Sequence, residues 1–148
     1  APPPKDKDYD LDQLLGRMER RFDEYLTHLD FTRGEHTFFF PPYSALFWNY
    51  AGEAGYGDLY LAFKTYAEER LLGMPHVKIY DFQNAERITD LEQYKDYTHY
   101  APSVNDWMLR CFVSGNYQVT EATPTGTLVE KTREQVQALL ERYPQIPH

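Results

Sequence analysis

The chain has 148 residues, with 15 Lys and Arg against 23 Asp and Glu, 42% hydrophobic residues and a single cysteine. This length fits one domain with an ordinary core, and no apolar run approaches the roughly 18 residues of a membrane span. A net charge of -8 argues against binding to a nucleic-acid backbone or an anionic membrane, because both kinds of binding depend on clustered Lys and Arg.

The first predicted elements follow a Pro-rich, charged stretch. Residues 1–8 are predicted to form a flexible tail or linker, and residues 9–148 a single α/β domain. Apolar residues recur at three- and four-residue steps after Asp10, which predicts an amphipathic helix of about five turns with Asp10 as its N-cap. The apolar, largely aromatic run over 36–40 ends at two prolines and is typical of a buried strand.

The middle of the chain is predicted to contain a helix followed by a second strand. The segment 43–56 mixes aromatic residues with glycines and is predicted to be a loop with a turn or two of helix. A helix is predicted over 58–72, where Gly73 ends it, and a strand over 77–82. Two strands joined by a helical crossover are typical of parallel β-strands covered by helices.

The last third of the chain adds two helices and a short strand. Residues 88–100 are predicted to be an irregular loop, 103–113 a helix, 117–120 a short strand and 129–143 the final helix. Cys111 lies in an apolar stretch, where a small buried thiol is the favoured interpretation. Together the elements predict an α/β fold with a small parallel sheet and helices on both faces.

Asp96 and His99 are the leading candidates for chemistry. They follow the second strand, at the carboxyl end of the sheet, where open α/β folds bind their ligands. At this spacing the Asp96 carboxylate can orient one imidazole nitrogen and leave the other free to accept a proton, as a general base requires. The alternatives are a loop-stabilising aspartate beside an ordinary histidine, and two ligands of a metal ion.

The sequence around Asp96 and His99, Tyr-Lys-Asp-Tyr-Thr-His-Tyr-Ala-Pro, resembles the Asp-x-x-His block of the SGNH (GDSL-type) hydrolase superfamily. In that family the block supplies the catalytic base and its orienting acid. The block is similar to the form found in a bacterial cell-envelope group associated with surface polysaccharides. The segments 38–44 and 77–82 resemble strands of the same group, so the resemblance covers about residues 36–115.

The resemblance implies the C-terminal half of a flavodoxin-like SGNH domain, located in the bacterial periplasm or cell envelope. It implies a serine esterase or O-acyltransferase that acts on an acylated carbohydrate or another ester. The family's nucleophilic serine and oxyanion residues would lie upstream of the residues present, so the serine would come from a missing segment or a partner chain, or the chemistry has been lost. Half a sheet also leaves an open edge, which predicts strand addition or self-association.

The three serines of the chain are the local alternatives for a nucleophile. Ser44 follows Pro-Pro at the carboxyl end of the first strand, on the same edge of the sheet as His99, and capping of a turn or helix is its competing role. Ser103 is predicted to cap a helix, and Ser114 to lie in a turn. The histidines and Cys111 lack zinc-ligand spacing and no phosphate-binding loop occurs, so neither a metal nor a cofactor is expected.

Tyr43, Tyr97 and Tyr100 are predicted to bind the substrate, because aromatic rings stack on sugar rings. Ordinary packing of these rings is the alternative. The same features fit a second hypothesis, a non-catalytic carbohydrate-binding or assembly module that keeps the fold. His99→Ala separates the two hypotheses. In the first case it should abolish turnover without affecting glycan binding, whereas in the second case substitutions of the aromatic residues should have the dominant effect.

Overall fold

The computed structural model describes residues 10–146, and these form five α-helices and a three-stranded sheet. The elements are α1 (Leu11–Thr27), β1 (His36–Phe40), α2 (Ala45–Glu53), α3 (Gly57–Leu71), β2 (Val77–Asp81), α4 (Pro102–Ser114), β3 (Gln118–Val119) and α5 (Thr125–Arg142). Two short 3-10 helices, Glu86–Thr89 and Leu91–Gln93, lie between β2 and α4. The predicted tail, residues 1–8, lies outside the described residues. No helix within residues 10–146 has the length and apolar character needed to cross a membrane.

The sheet has the strand order β1-β2-β3 and mixes two directions. β1 and β2 are parallel, in a register that pairs Phe38 with Ile79. β3 is antiparallel to β2, with Val119 opposite Ile79. The prediction of a parallel sheet is therefore right for β1 and β2 but wrong for β3. The chain reverses after α4, where Gly115 and Tyr117 have left-handed backbone conformations (φ 78° and 66°).

Alternate residues of β2 pack on opposite faces of the sheet. Ile79 lies in a core cluster with Leu26 of α1 and Leu71 of α3. Its neighbour Tyr80 lies in a second cluster with Cys111 of α4. Each fully buried apolar side chain of this size contributes about 1.5–3 kcal/mol. Helices cover both faces, as predicted, and the burial of Cys111 is confirmed at 3% exposure.

β1 forms an edge of the sheet within the described part of the chain. It pairs with β2 on one side, and no described strand pairs with its other side. Phe39 remains 44% exposed, although its ring packs edge-on against Phe112 of α4 at a centroid distance of 5.7 Å. An unpaired strand side of this kind offers backbone groups to another strand.

The first two helices begin at side-chain caps. The Asp10 carboxylate accepts a hydrogen bond from the Gln13 N–H at 3.0 Å, which confirms the predicted N-cap of α1. Ser44 caps α2 in the same way, with its hydroxyl accepting from the Phe47 N–H at 3.3 Å. α2 is therefore a helix of nine residues, longer than the turn or two predicted within 43–56.

The starts of α4 and α5 differ from the predictions. Ala101 is the N-cap of α4 and Pro102 lies in its first turn, where a proline sacrifices no helical hydrogen bond. Ser103 therefore lies inside the helix, and its predicted capping role is wrong. α5 begins at Thr125, ahead of the predicted start at Val129, because the residues before its apolar stripe already adopt helical geometry.

Candidate functional site

Asp96 and His99 lie at the tip of a tight loop. An antiparallel bridge joins Tyr94 to Tyr100, and within it the Lys95 N–H donates to the His99 carbonyl at 2.8 Å. These contacts bring the two ends of the loop together, so a short and mostly local segment presents both side chains. The loop follows β2 and the two 3-10 helices, at the end of the sheet that the sequence predicts.

The Asp96 carboxylate organises both the backbone and the imidazole of this loop. It accepts hydrogen bonds from the N–H groups of Thr98 at 3.0 Å and His99 at 2.8 Å. These two bonds, in this order, hold the pKa of Asp96 well below its ordinary value. His99 Nδ1 lies 2.7 Å from Oδ2 and 2.9 Å from Oδ1 of the same carboxylate. An ionised carboxylate accepts the proton of Nδ1, which leaves the lone pair of Nε2 able to take another proton.

His99 is open to solvent and borders two grooves. Its side chain is 77% exposed and that of Asp96 is 48% exposed. The first groove, of about 410 Å³, lies between the loop and helices α2 and α3. We call it the tyrosine groove, after four of its aromatic lining residues, Tyr50, Tyr56, Tyr60 and Tyr97. The second groove, lined by His99 together with Tyr43, Tyr100 and Asn105, is of about 440 Å³.

The three tyrosines predicted to bind the substrate thus border His99 from two sides. Tyr97 packs its ring against Tyr50 of α2 at a centroid distance of 4.7 Å. A hydrogen bond with Tyr50, followed by partial burial, raises the pKa of the Tyr97 hydroxyl. Burial raises the pKa of Tyr100 as well, so both hydroxyls remain protonated donors at neutral pH. Tyr43 and Tyr100 share the second groove.

Ser44 holds the Asp96–His99 loop in place from within the core. It is 1% exposed, and its hydroxyl donates to the Tyr97 carbonyl at 2.8 Å. The Ser44 N–H donates to the same carbonyl at 3.0 Å. Together with the cap of α2, these contacts assign the hydroxyl to an anchoring role between α2 and the loop, which agrees with the capping alternative for this residue.

The other two serines also use their hydroxyls elsewhere. Ser103 donates to Gln93 Oε1 at 3.0 Å, and Ser114 donates to the Cys111 carbonyl at 3.4 Å. Within residues 10–146 no serine hydroxyl forms a hydrogen bond to His99. The structure thus brings a base and its orienting acid together, without bringing a local nucleophile to them.

Replacing Ser44 with alanine is expected to lower the free energy of unfolding by about 1–3 kcal/mol, because it removes the cap of α2 and one bond to a buried carbonyl. Urea denaturation measures the loss, and amide hydrogen exchange in the loop should accelerate with it. Ser103→Ala is the matched control, since it removes an exposed hydroxyl contact and should cost below about 0.5 kcal/mol. Equal losses in the two variants would contradict the anchoring role.

A second polar cluster, in the core, was not predicted from the sequence. Lys64 of α3 and Asp81 of β2 form an ion pair at 2.6 Å, with side chains 2% and 1% exposed. Lys64 also donates to Thr132 Oγ1 of α5 at 3.3 Å. Glu68 is fully buried beside them, and desolvation, followed by the charge of Asp81, raises its pKa to about 8. The cluster ties α3, β2 and α5 together beneath the carboxyl end of the sheet.

Neither a metal-binding cluster among the described residues nor a related protein indicates what this site does. Within the described part of the chain, no group of three His, Cys, Asp or Glu side chains is placed to hold a metal ion. No protein-family model, curated protein or solved structure matches this chain. The geometry of Asp96 and His99 and the resemblance of their sequence block are therefore the basis for assigning a function.

Proposed function

We propose that the protein is part of an SGNH-type serine esterase or O-acyltransferase, with His99 as the general base and Asp96 as its orienting acid. The observation that carries the proposal is the contact of His99 Nδ1 with both oxygens of a carboxylate whose pKa is lowered. The Asp-x-x-His resemblance supports the same roles. The substrate class is an acylated carbohydrate, and the location is the bacterial periplasm or cell envelope, both taken from that resemblance.

The proposed reaction moves one acyl group between two oxygens. His99 Nε2 takes the proton of an attacking hydroxyl while the oxygen bonds to the ester carbonyl carbon, and Asp96 stabilises the imidazolium. When the tetrahedral intermediate collapses, the bond to the leaving alcohol breaks and Nε2 returns its proton to that oxygen. Attack by water completes hydrolysis, attack by serine gives an acyl-enzyme, and attack of a sugar hydroxyl on that acyl-enzyme gives transfer.

The nucleophilic serine is proposed to come from another segment of the protein or from a partner chain. The hydroxyls of the three serines present here donate to other acceptors. The open edge of β1 supports the proposal, because a further strand adding there would extend the sheet at its carboxyl-end site. The exposure of His99 also leaves room for a hydroxyl supplied from outside.

A carbohydrate-binding or assembly module without catalysis is the second candidate. The tyrosine groove favours it, because several tyrosine rings and hydroxyls lie together on an accessible surface. Under this hypothesis the sugar would stack on Tyr50 or Tyr97, and the Asp96–His99 pair would only stabilise the loop. Catalysis and binding therefore depend on different side chains, which makes the two hypotheses separable by mutation.

Hydrolysis of p-nitrophenyl acetate tests the base role of His99 without the serine, because water deprotonated by His99 Nε2 can attack this activated ester directly. We expect His99→Ala to lower the rate at pH 7 by about 100-fold or more, and Asp96→Asn to lower it by about tenfold or more, since general-base catalysis contributes on the order of 10²–10⁴. His28→Ala is the matched control, because His28 is an exposed histidine at the end of α1 and its removal should leave the rate unchanged. A fluorophosphonate probe should leave Ser44 unlabelled.

Binding of O-acetylated xylan oligosaccharides to the same variants measures glycan affinity separately from hydrolysis. In the catalytic case His99→Ala retains glycan affinity while hydrolysis is lost. Equal hydrolysis rates for His99→Ala and His28→Ala, together with a loss of glycan binding in Tyr50→Ala, would instead establish the non-catalytic module.

A further inference from the structure

A second cavity adjoins the tyrosine groove at the carboxyl ends of β1 and β2. It measures about 370 Å³ and lies among α1, α2 and α3. Phe47, Tyr60 and Thr98 line both this cavity and the tyrosine groove. His99 lines the tyrosine groove and not this cavity, so the cavity adjoins a groove that the proposed catalytic base borders. We call it the sheet-end cavity.

The walls of the sheet-end cavity are mostly apolar or aromatic. They include Met18 of α1, Phe40 of β1 and Phe63 of α3. Lys64 also borders the cavity, but its ammonium group is paired with Asp81 at 2.6 Å. A ligand in this space would therefore meet mainly hydrocarbon, and apolar groups of a ligand gain free energy there in proportion to the area they bury.

Two polar atoms of residues on the wall of the cavity, Gln83 Oε1 and Trp48 Nε1, are buried without a partner among the described residues. Gln83 is 5% exposed, and its Oε1 accepts no hydrogen bond from any described residue. Its backbone N–H donates to Asp81 Oδ1 at 2.9 Å. A buried acceptor without a partner costs about 1–3 kcal/mol, so a ligand hydroxyl that donates to Gln83 Oε1 recovers that cost.

We propose that the sheet-end cavity binds the acyl group of the substrate, and that this group is longer than acetyl and bears a hydroxyl or similar substituent that pairs with Gln83. The proposal rests on the proposed function, which places the ester carbonyl at His99. An acetyl group would leave most of the space empty.

Binding of neutral esters, followed by NMR titration of the 17.5 kDa chain, tests the proposal. The probes are methyl acetate, methyl hexanoate and methyl 6-hydroxyhexanoate. We expect methyl hexanoate to bind at least about tenfold more tightly than methyl acetate, because each added methylene is buried. The hydroxylated ester should bind about fivefold more tightly again and shift the side-chain NH₂ resonances of Gln83.

Two variants locate the binding. Gln83→Leu should remove the preference for the hydroxylated ester and retain binding of methyl hexanoate, and Met18→Trp should weaken binding of both esters by filling the cavity. Equal affinities of the wild-type chain for all three esters would overturn the proposal without any variant. Survival of the hydroxyl preference in Gln83→Leu would overturn the role of the amide.

His99→Ala separates this inference from the proposed function. The variant should bind the hydroxylated ester as tightly as the wild-type chain, since His99 contributes to the reaction rather than to the acyl cavity. Loss of ester hydrolysis in His99→Ala with equal binding of the three esters would leave the catalytic proposal standing and reject the acyl cavity. Binding that increases with the length of the acyl chain, without any hydrolysis dependent on His99, would leave the acyl cavity standing and reject the catalytic proposal.

Discussion

Replacing Lys64 with methionine is expected to lower the free energy of unfolding by about 3–5 kcal/mol, the loss typical when one partner of a buried ion pair is removed. Lys64 and Asp81 are 2.6 Å apart and almost wholly shielded from water. Methionine fills a similar volume but leaves Asp81 without its counter-charge, next to the fully buried Glu68. Urea denaturation at pH 7, followed by circular dichroism, measures the change.

Lys78→Met is the matched control for this loss. Lys78 lies in β2 and pairs with Glu35 at 3.0 Å, but the two side chains are 44% and 66% exposed. Exposed pairs of this kind contribute at most about 1 kcal/mol, so the control should lose little stability. Comparable losses of stability in Lys64→Met and Lys78→Met would show that burial does not increase the contribution of the Lys64–Asp81 pair to the free energy of unfolding.

Replacing Glu68 with glutamine is expected to flatten the dependence of stability on pH between about 5 and 8. Desolvation, followed by the charge of Asp81, raises the pKa of Glu68 from 4.5 to about 8 in the folded chain. Folding therefore takes up a proton between these values, and stability present below the lower pKa is lost as the pH rises through the upper one. The slope from this one group approaches about 1.4 kcal/mol per pH unit.

Urea denaturation at intervals from pH 5 to 8.5 measures this linkage. At pH 8 we expect Glu68→Gln to be more stable than the wild-type chain by about 2–4 kcal/mol, because glutamine carries no charge to desolvate. Glu69→Gln is the control, since Glu69 is the exposed neighbour on the same helix and undergoes the same change of charge. Parallel stability curves for wild-type, Glu68→Gln and Glu69→Gln proteins would contradict the raised pKa of Glu68.

Structural features that depend on residues close together in the sequence could be predicted from the sequence. The N-cap at Asp10, the strand over 36–40 and the parallel pairing of β1 with β2 follow from local patterns and the length of the crossover. The contact of Asp96 with His99 is also local, because three residues within a turn bring the carboxylate to the imidazole. Periodicity thus predicted most helices, and the spacing of Asp96 and His99 together with the family resemblance of their block predicted the candidate base.

The tertiary structure decided how distant segments meet. Ser44 anchors the carbonyl of Tyr97, a contact between residues far apart in the chain that its position after two prolines does not reveal. The direction of β3 depends on left-handed residues after α4, one of which, Tyr117, is not a glycine and gives no such signal.

The buried charges show most clearly which features the sequence determines and which depend on the tertiary structure. Lys64 and Glu68 are spaced like an exposed ion pair on a helix. They share a helix face with the buried Leu61 and Leu71, and this shared face was the feature of the sequence that could have indicated their burial. The sequence determined the face of α3 on which the charges lie. Only the packing of α5 and β2 against that face decided that Lys64 would meet Asp81 away from water, because burial is a property of the assembled layers and not of the helix.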